Sequence, residues 1–313
     1  EREFPRGMTG VTAIFSFYSE AIQRFVENRL SLETRRRIVK RAVDALAQAM
    51  AENKNEYLLV EQVHVLFDDI LPSLANRERD LLTQLESEGM LTVEVTEDRD
   101  KGQTEAVRFT FQRFSDHVIA SRLIDLHVDA ANPAAAFMAN GPLHPYVAES
   151  LVWKMAGVVE ALAVQLPERF GVELPDLVPD GYPPYEIVEA FRDSLLWRAQ
   201  QHFTKRTIEL VSELLGEEEI LPTLLHVATE PDNLFNGLHL HARLAALPMP
   251  ERDAQWSIPI AVLDTDGHSP IWTLIDWAWS NGFDVIEDRR AELAGITLCW
   301  FLTTTCLLYT SRR

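Results

Sequence analysis

Ser115, Asp116 and His117 are consecutive, and together they supply the residue types of a nucleophilic catalytic triad. A triad needs its three side chains to converge on one point. Consecutive residues on a helix diverge by about 100° each, so these three cannot form a triad with one another. Ser115 is instead predicted to cap the start of a helix, with Asp116 in the first turn, where a carboxylate favours the helix dipole.

Two other clusters have partial metal-binding patterns. His239 and His241 could share a metal ion on a strand, but on the predicted helix their rings diverge by about 200°. Asp264, Asp266 and Gly267 have the spacing of half a calcium loop, without the later acidic ligands. We therefore predict no metal site in this chain.

Motifs that define large enzyme classes are missing. The sequence contains no G-x-x-x-x-G-K-[ST] phosphate-binding loop, no H-E-x-x-H zinc motif and no G-x-S-x-G nucleophile motif. No catalytic residue and no cofactor site are therefore predicted within the chain. Whether it belongs to a larger enzyme stays open on these residues alone.

The segment 107–120 changes its periodicity in the middle. Val107, Phe109 and Phe111 alternate with polar residues, which predicts a strand with one buried face. From Ser115 onwards the apolar residues have helical spacing. This stripe consists of Val118, Ile119, Leu123 and Leu126. The pattern predicts a strand that leads directly into a helix.

The elements before this junction fit one small domain. Segments 58–70 and 76–88 have helical periodicity, the second with Asn76 as its cap, and 91–96 and 105–111 alternate as two strands around a polar turn. The order helix, helix, hairpin, helix is typical of a winged-helix domain, which we place at residues 55–130. Two further helices are predicted before it, at 11–30 and from a Ser31 cap to 53.

After residue 130 nearly all patterns are helical. Helices are predicted at 146–166, 185–201, 204–215, 217–227, 233–247, 271–281 and 284–303, and residues 167–184 are predicted to form an extended, proline-rich connector. Helices of this length in succession favour an α-solenoid-like array. The predicted fold class is therefore mainly α: a winged-helix domain with a small β-hairpin, followed by that array at residues 131–302.

Composition limits the partners. The chain has 48 acidic and 29 basic residues and a net charge of −19. Residues 60–130 contain 15 acids and 7 bases, a net charge of −8, which disfavours binding to nucleic-acid phosphates. No apolar run reaches the ~20 residues of a membrane span. Two cysteines form no disulfide framework, so the cytoplasm is the expected compartment.

The two ends of the sequence predict a fragment. The chain begins with Glu1 and has no secretory signal pattern. The run Cys306-Leu-Leu-Tyr-Thr-Ser311 is the translation of a transposase adaptor that is common in sequencing libraries. We expect residues 303–313 to be an artefact of that adaptor, and the rest to be an internal part of a longer protein. Residues 1–54 would then be the helical end of a preceding module.

The run Phe109-Thr-Phe-Gln-Arg-Phe-Ser-Asp-His-Val-Ile-Ala120 resembles a known motif. It is similar to the Phe-x-His-x-x-Phe-x-Glu-Tyr segment that closes the winged-helix domain of STAND (NACHT-like) NTPases. The amino-acid sequence of this run most resembles that of the prokaryotic antiviral AVAST type. Gln112, Phe114, Asp116 (for Glu) and Ala120 agree with the motif, whereas Phe111 stands where many members have histidine.

The resemblance implies a function that the residues alone do not. A parent STAND protein would bind ATP or ADP with Mg²⁺ in an upstream ATPase module. Gln112, Arg113 and His117 would then lie near the nucleotide. The alternative is that Phe109, Phe111 and Phe114 are core residues and that Arg113 pairs with a neighbouring acid. The helices after residue 130 would begin a sensor for a viral (phage) protein, and ligand binding would favour self-oligomerisation. The chain would thus be a non-catalytic regulatory part of an anti-phage defence protein.

Arg252, Asp253 and Trp256 resemble a recurrent sequence in the helical region of the same antiviral group. The expected role is structural: Arg252 pairs with Asp253 and fixes one helix pair on the next.

Two alternatives of other classes remain open. The first is a DNA-binding winged-helix transcription regulator with a helical ligand-binding half. It requires a basic stripe on helix 76–88 and salt-dependent DNA binding. The second is an α-solenoid scaffold without a nucleotide link, which would be favoured if no hairpin formed near residues 91–112.

Overall fold

The computed structural model describes residues 10–303, apart from 34–35, 73–79, 99–101, 149–150, 180, 264–269 and 280–285. The chain divides into two compact units, Glu1–Phe191 and Arg192–Arg313. The described residues are mainly helical, with one small antiparallel sheet in the first unit, which confirms the predicted mainly α class. The Asn76 cap, the turn tip at 99–101, the half calcium loop and nearly all of the adaptor-like segment lie outside the described residues.

The helical segments described in the first unit are α1 Val11–Arg29, α2 Ile38–Asn53, α3 Val60–Ile70, α4 Leu81–Ser87, α5 Gln112–His127, α6 Pro145–Ala148, α7 Leu151–Lys154 and α8 Ala156–Phe170. The next helix, α9 Tyr185–Trp197, continues from the first unit into the second. Helix α5 packs against α2 on one side and α8 on another, and α1 packs on α2. Buried apolar residues of α2, α5 and α8 form the core of this unit.

The sheet has three strands, β1 Leu58–Leu59, β2 Leu91–Asp98 and β3 Gly102–Phe109, in the order β1-β3-β2. Both strand pairs are antiparallel. The hairpin β2–β3 confirms the two predicted strands, although the second ends two residues earlier than expected. The predicted helix 58–70 is wrong at its start, because Leu58 and Leu59 pair with Val107 and Ala106 of β3 before α3 begins.

Two predicted helix starts in the first half of the chain are wrong. Ser31 does not cap α2, because its φ of 55° places it in a left-handed loop and the helix begins only at Ile38. Helix α4 begins at Leu81, since Asp80 is extended and its carboxylate accepts a hydrogen bond from Thr83 N at 3.0 Å. In both cases the structure uses a later residue than the cap suggested by the sequence.

The predicted start of α5 is wrong in the opposite direction. Phe111 is the N-cap with extended backbone, and Ser115 N donates to Phe111 O at 3.0 Å as an ordinary helical bond. Ser115 therefore lies one turn inside the helix. Its hydroxyl is buried and has no hydrogen-bond partner among the described residues. A helix that starts at the end of the strand leaves no loop in which Ser115 could act as a cap.

The predicted helix 146–166 is interrupted at Met155, and its end is also wrong. Met155, with φ of −123° and ψ of 47°, separates α7 from α8. Helix α8 then continues through Pro167 to Phe170 and ends at Gly171, whose φ is 68°. The expected extended connector therefore begins after residue 171. It contains a short 3-10 turn, Leu174–Leu177, with Leu174 and Leu177 buried.

Only helices and turns occur among the described residues of the second unit. Its helices after α9 are α10 Lys205–Leu214, α11 Glu217–His226, α12 Gly237–Ala245, α13 Met249–Arg252, α14 Ile258–Leu263, α15 Pro270–Trp279 and α16 Asp288–Phe301. A π-helical turn, Asp253–Ser257, joins α13 to α14. Helix α12 packs on α16, where a Cβ added at Gly237 would lie 2.7 Å from Thr297 Oγ1, so glycine permits the close approach.

Within the described parts of the chain, no helix has both the length and the apolar character needed to cross a bilayer.

Candidate functional site

The junction between β3 and α5 holds an aromatic cluster. Phe114 is 1% exposed, and its ring lies edge-on to Phe15 at 5.4 Å, Tyr18 at 5.2 Å and Phe109 at 5.4 Å between ring centroids. Phe109 is also buried, as predicted. The prediction that Phe111 is core is wrong, because its side chain is 56% exposed and touches only the edge of the cluster through Tyr18.

The structure does not bring Gln112, Arg113 and His117 together around one ligand. Gln112 Nε2 donates to Asp116 Oδ1 at 3.2 Å. Arg113 Nη1 forms an ion pair of 2.7 Å with Glu160 Oε1 on α8, which matches the alternative expectation that it pairs with a nearby acid. Of the three, only His117 lines the cleft described below.

Asp116 is a buried carboxyl group between α5 and α8. Burial, with the nearby Glu56 and Glu160 carboxylates, raises its pKa to about 7, against the opposing effects of Gln112 and Arg113. A Cβ added at Gly157 of α8 would lie 2.1 Å from Asp116 Oδ2. The glycine therefore leaves room for the carboxyl group against the α8 backbone, where little water reaches it. Near neutral pH this side chain is poised between its protonated and ionised forms.

His117 is the next residue and is perturbed in the opposite direction. Its side chain is buried, and this burial lowers its pKa to about 4, so the imidazole is neutral near pH 7. The ring lies 5.1 Å from that of Phe15 on α1. Gln165 Nε2 of α8 donates to the His117 backbone oxygen at 2.8 Å and holds the two helices together.

A cleft of about 1010 Å³ opens beside His117. Its walls come from four helices: α1, α2, α5 and α8. Phe15, Val43, Phe114 and Val118 provide apolar surface, and serine hydroxyls and charged side chains provide the rest. At one end, Thr12 Oγ1 donates to Glu168 Oε2 at 2.5 Å and links α1 to α8. No sequence pattern indicates this cleft, because its helices are widely separated along the chain.

The residues Arg252, Asp253 and Trp256 lie in the second unit around the π-helical turn. The predicted pairing of Arg252 with Asp253 is wrong. Arg252 Nη2 donates to Leu247 O at 3.1 Å, while Asp253 Oδ1 accepts from Ser257 Oγ at 3.1 Å. Two side chains contact the helix α16. Trp256 is buried and donates from Nε1 to Trp300 O at 3.0 Å, and the guanidinium group of Arg252 lies 5.7 Å from the centroid of the Trp300 ring.

His239 and His241 lie on α12 and face different neighbours, as the helical spacing predicted. The His239 ring contacts Phe235 at 5.0 Å, whereas His241 Nδ1 accepts a hydrogen bond from Trp300 Nε1 at 3.3 Å. Asn236 caps this helix through a bond from Leu238 N to its Oδ1 at 3.0 Å. Both histidines thus take part in packing contacts of the second unit.

We expect the Trp256→Phe variant to lose about 1–3 kcal/mol of unfolding free energy in the second unit, because the buried hydrogen bond to Trp300 O and part of a fully buried ring are lost. Chemical denaturation followed by circular dichroism measures this loss. Trp279 is 81% exposed, so the matched Trp279→Phe variant should stay within about 0.5 kcal/mol of the parent. Equal stability of the two variants would contradict the role assigned to Trp256.

The arrangement around α5 can bind and position a ligand rather than attack one. Ser115 Oγ is buried without a described partner, so it forms no nucleophile–base pair with His117. The cleft instead combines a neutral imidazole, hydroxyl groups and guanidinium groups. The chain matches no family model, no curated protein and no solved structure.

Proposed function

We propose that the first unit contains a winged-helix domain. The elements α2, β1, α3, α4, β2 and β3 follow one another in the order of that fold, and the strand order β1-β3-β2 is the one its wing requires. On this assignment α2 is the first helix of the domain, so the domain starts near residue 38 instead of at residue 55. The helices after residue 131 would begin the solenoid-like sensor array; no strand occurs among their described residues.

We infer that this chain is the regulatory part of a STAND-type NTPase in anti-phage defence. It would couple the nucleotide state of the parent protein to recognition of a viral protein and would do no chemistry itself. The observation that carries this proposal is the position of α5. This helix continues directly from the wing strand β3 and packs against both α2 and α8. A displacement of the hairpin would therefore be transmitted to the helices that follow it.

The same geometry supports a role without DNA binding. On α4, which would be the recognition helix, the exposed side chains among the described residues are Thr83, Glu86 and Ser87, and none is basic. On the hairpin, Arg108 is paired with Glu94 at 3.6 Å and covers the ring of Tyr57. Phosphate binding requires cations that are free to meet the backbone, so this surface suits a protein contact better.

In this proposal ATP or ADP with Mg²⁺ binds in the ATPase part of the parent protein. The bound nucleotide would carry a different charge in the ATP state and in the ADP state. His117 is the one predicted nucleotide-proximal residue that lines an open cleft, whereas Gln112 and Arg113 are engaged with Asp116 and Glu160. We further propose a cytoplasmic location and self-oligomerisation of the parent protein on ligand binding.

The test begins with the coding sequence upstream of residue 1. We expect it to encode a G-x-x-x-x-G-K-[ST] loop, and we expect the purified chain alone to show no ATP hydrolysis. The protein made from the whole reading frame should hydrolyse ATP, and Lys→Ala in its phosphate-binding loop should abolish this activity. A complete reading frame without such a loop would defeat the proposal.

The DNA-binding alternative retains one supporting observation, the winged-helix order of elements itself. A gel-shift assay with random duplex DNA at low salt separates the two functions. We expect no shift, whereas binding that weakens steeply with added salt would favour the regulator. The scaffold alternative would have been favoured by the absence of a hairpin near residues 91–112, and β2–β3 occupies that position.

A further inference from the structure

We propose that the cleft between α1 and the α2–α5–α8 surface binds a small hydroxylated organic anion, either a dicarboxylate or a phosphate monoester. This proposal does not depend on the function proposed above. It rests on the charges around the cleft, on the guanidinium groups of Arg37 and Arg122, and on the buried imidazole of His117. Arg37 is near enough to the buried Glu27 carboxylate to lower its pKa, but the two groups are not within ion-pair distance.

The cleft is positively charged in a strongly acidic protein. The chain carries a net charge of −19, yet the charged residues of the cleft sum to +2 with histidine neutral. The cations are Arg24, Arg37, Lys40, Arg122 and Arg169, and the anions are Glu20, Asp44 and Asp125. A surface of the opposite sign to the whole protein attracts anions locally.

Three of the cations already have carboxylate partners. Arg24 pairs with Glu20 at 3.5 Å and Lys40 with Asp44 at 3.1 Å, both one turn apart on a helix. Arg169 of α8 pairs with Asp125 of α5. These pairs account for every carboxylate that lines the cleft and leave Arg37 and Arg122 to supply its excess charge.

Arg37 and Arg122 have no carboxylate within ion-pair distance among the described residues. Arg122 donates from Nε and Nη2 to Gln48 Oε1 at 3.2 and 2.7 Å, which fixes the plane of its guanidinium group. Arg37 is exposed at the start of α2. A planar guanidinium group matches the oxygens of a carboxylate or a phosphate and can bind two of them at once.

His117 supplies the second kind of contact. Its side chain is only 8% exposed and lines the cleft, and no ring nitrogen of His117 has a hydrogen-bond partner among the described residues. Because a neutral imidazole has one donor and one acceptor nitrogen, it suits a hydroxyl group, which can satisfy either. The hydroxyl groups of Ser16, Ser19 and Ser121 on the walls extend this preference.

The size of the cleft favours a small molecule. Its volume of about 1010 Å³ is close to the upper limit of ordinary small-molecule sites. Its walls belong to helices that pack on one another, so a bound molecule would contact α1 together with α2, α5 and α8. Binding should therefore stabilise the folded first unit in proportion to ligand occupancy.

The test measures the melting temperature of the whole chain with three probes: malate, glucose 6-phosphate and orthophosphate. We expect malate or glucose 6-phosphate to raise the melting temperature at millimolar concentration. The probe that raises the melting temperature identifies the anionic group of the ligand as a dicarboxylate or a phosphate monoester. In titrations with that probe, Arg37→Gln and His117→Phe should each weaken binding by about tenfold or more.

The control is Arg108→Gln, which removes the same charge from a half-buried position on β3 outside the cleft. It should bind the probe as the parent does. Arg37 is exposed, so Arg37→Gln keeps the fold even if His117→Phe does not. No stabilisation by either organic probe, an equal effect of orthophosphate alone, or equal losses in Arg37→Gln and Arg108→Gln would each overturn the proposal.

Discussion

The Phe114→Ala variant is expected to lose about 3–5 kcal/mol of unfolding free energy in the first unit, the range for removing a large buried aromatic side chain. Phe114 is 1% exposed and is the centre of the aromatic cluster, with edge-on contacts to Phe15, Tyr18 and Phe109. The substitution leaves a cavity among three elements that are far apart in the sequence: α1, β3 and α5. Equilibrium denaturation in urea, followed by circular dichroism, measures the loss.

The matched control removes the same atoms three residues earlier. Phe111 is 56% exposed, and its ring contact is with Tyr18 at 5.9 Å. We expect Phe111→Ala to cost less than about 1 kcal/mol, because most of its ring remains in water in the folded state. If both variants lost the same stability, the junction would not have the structure described.

The aromatic residues show how far sequence periodicity reaches. Alternation correctly predicted that Phe109 faces the core, because a strand determines which face each residue occupies. It failed at Phe111, since strand pairing stops at Phe109 and the chain turns into a helix two residues later. The sequence contains both patterns but does not mark the residue at which one replaces the other.

The caps show the same limit. Ser115 and Ser31 both have side chains that favour a helix start. The structure uses Phe111 and Arg37 in these places, and neither makes a side-chain capping bond. Tertiary packing therefore overrides the local preference, since a helix start is worth only about 1 kcal/mol and the buried faces of α2 and α5 are worth more.

The cleft could not be predicted from local patterns. Thr12 and Glu168, which close one end, are 156 residues apart, and Gln165 and His117 are 48 residues apart. Such contacts depend on how four helices cross, which periodicity does not encode. The sequence did single out His117, because it aligns with the last position of the STAND-like motif. The guanidinium groups near it could be recognised only in the folded structure.

Asp116 and His117 have opposite effects on stability as the pH changes. The pKa of Asp116 is raised from 3.8 to about 7 in the folded protein. Between about pH 4 and 7 the carboxyl group therefore ionises in the unfolded chain but not in the folded one, so the free energy of unfolding falls as the pH rises. The pKa of His117 is lowered from 6.5 to about 4 in the folded protein. Between pH 6.5 and 4 the imidazole therefore takes up a proton in the unfolded chain but not in the folded one, so the free energy of unfolding falls as the pH falls. Between about pH 4 and 6.5 the two slopes nearly cancel in the parent protein.

The Asp116→Asn variant should therefore separate the two effects. The amide retains an oxygen for Gln112 and cannot ionise, so the variant keeps only the His117 slope. Relative to the parent, we expect no gain at pH 4 and a gain rising to at most about 4 kcal/mol at pH 7.5, since each pKa unit is worth about 1.4 kcal/mol. Urea denaturation at pH 4, 5, 6 and 7.5 gives this difference curve.

Asp44→Asn, at an exposed carboxylate facing Lys40, should change stability by less than about 1 kcal/mol at every pH. A difference curve for Asp116→Asn that is flat, or that falls with rising pH, would show that the carboxyl group is solvated and not buried against α8.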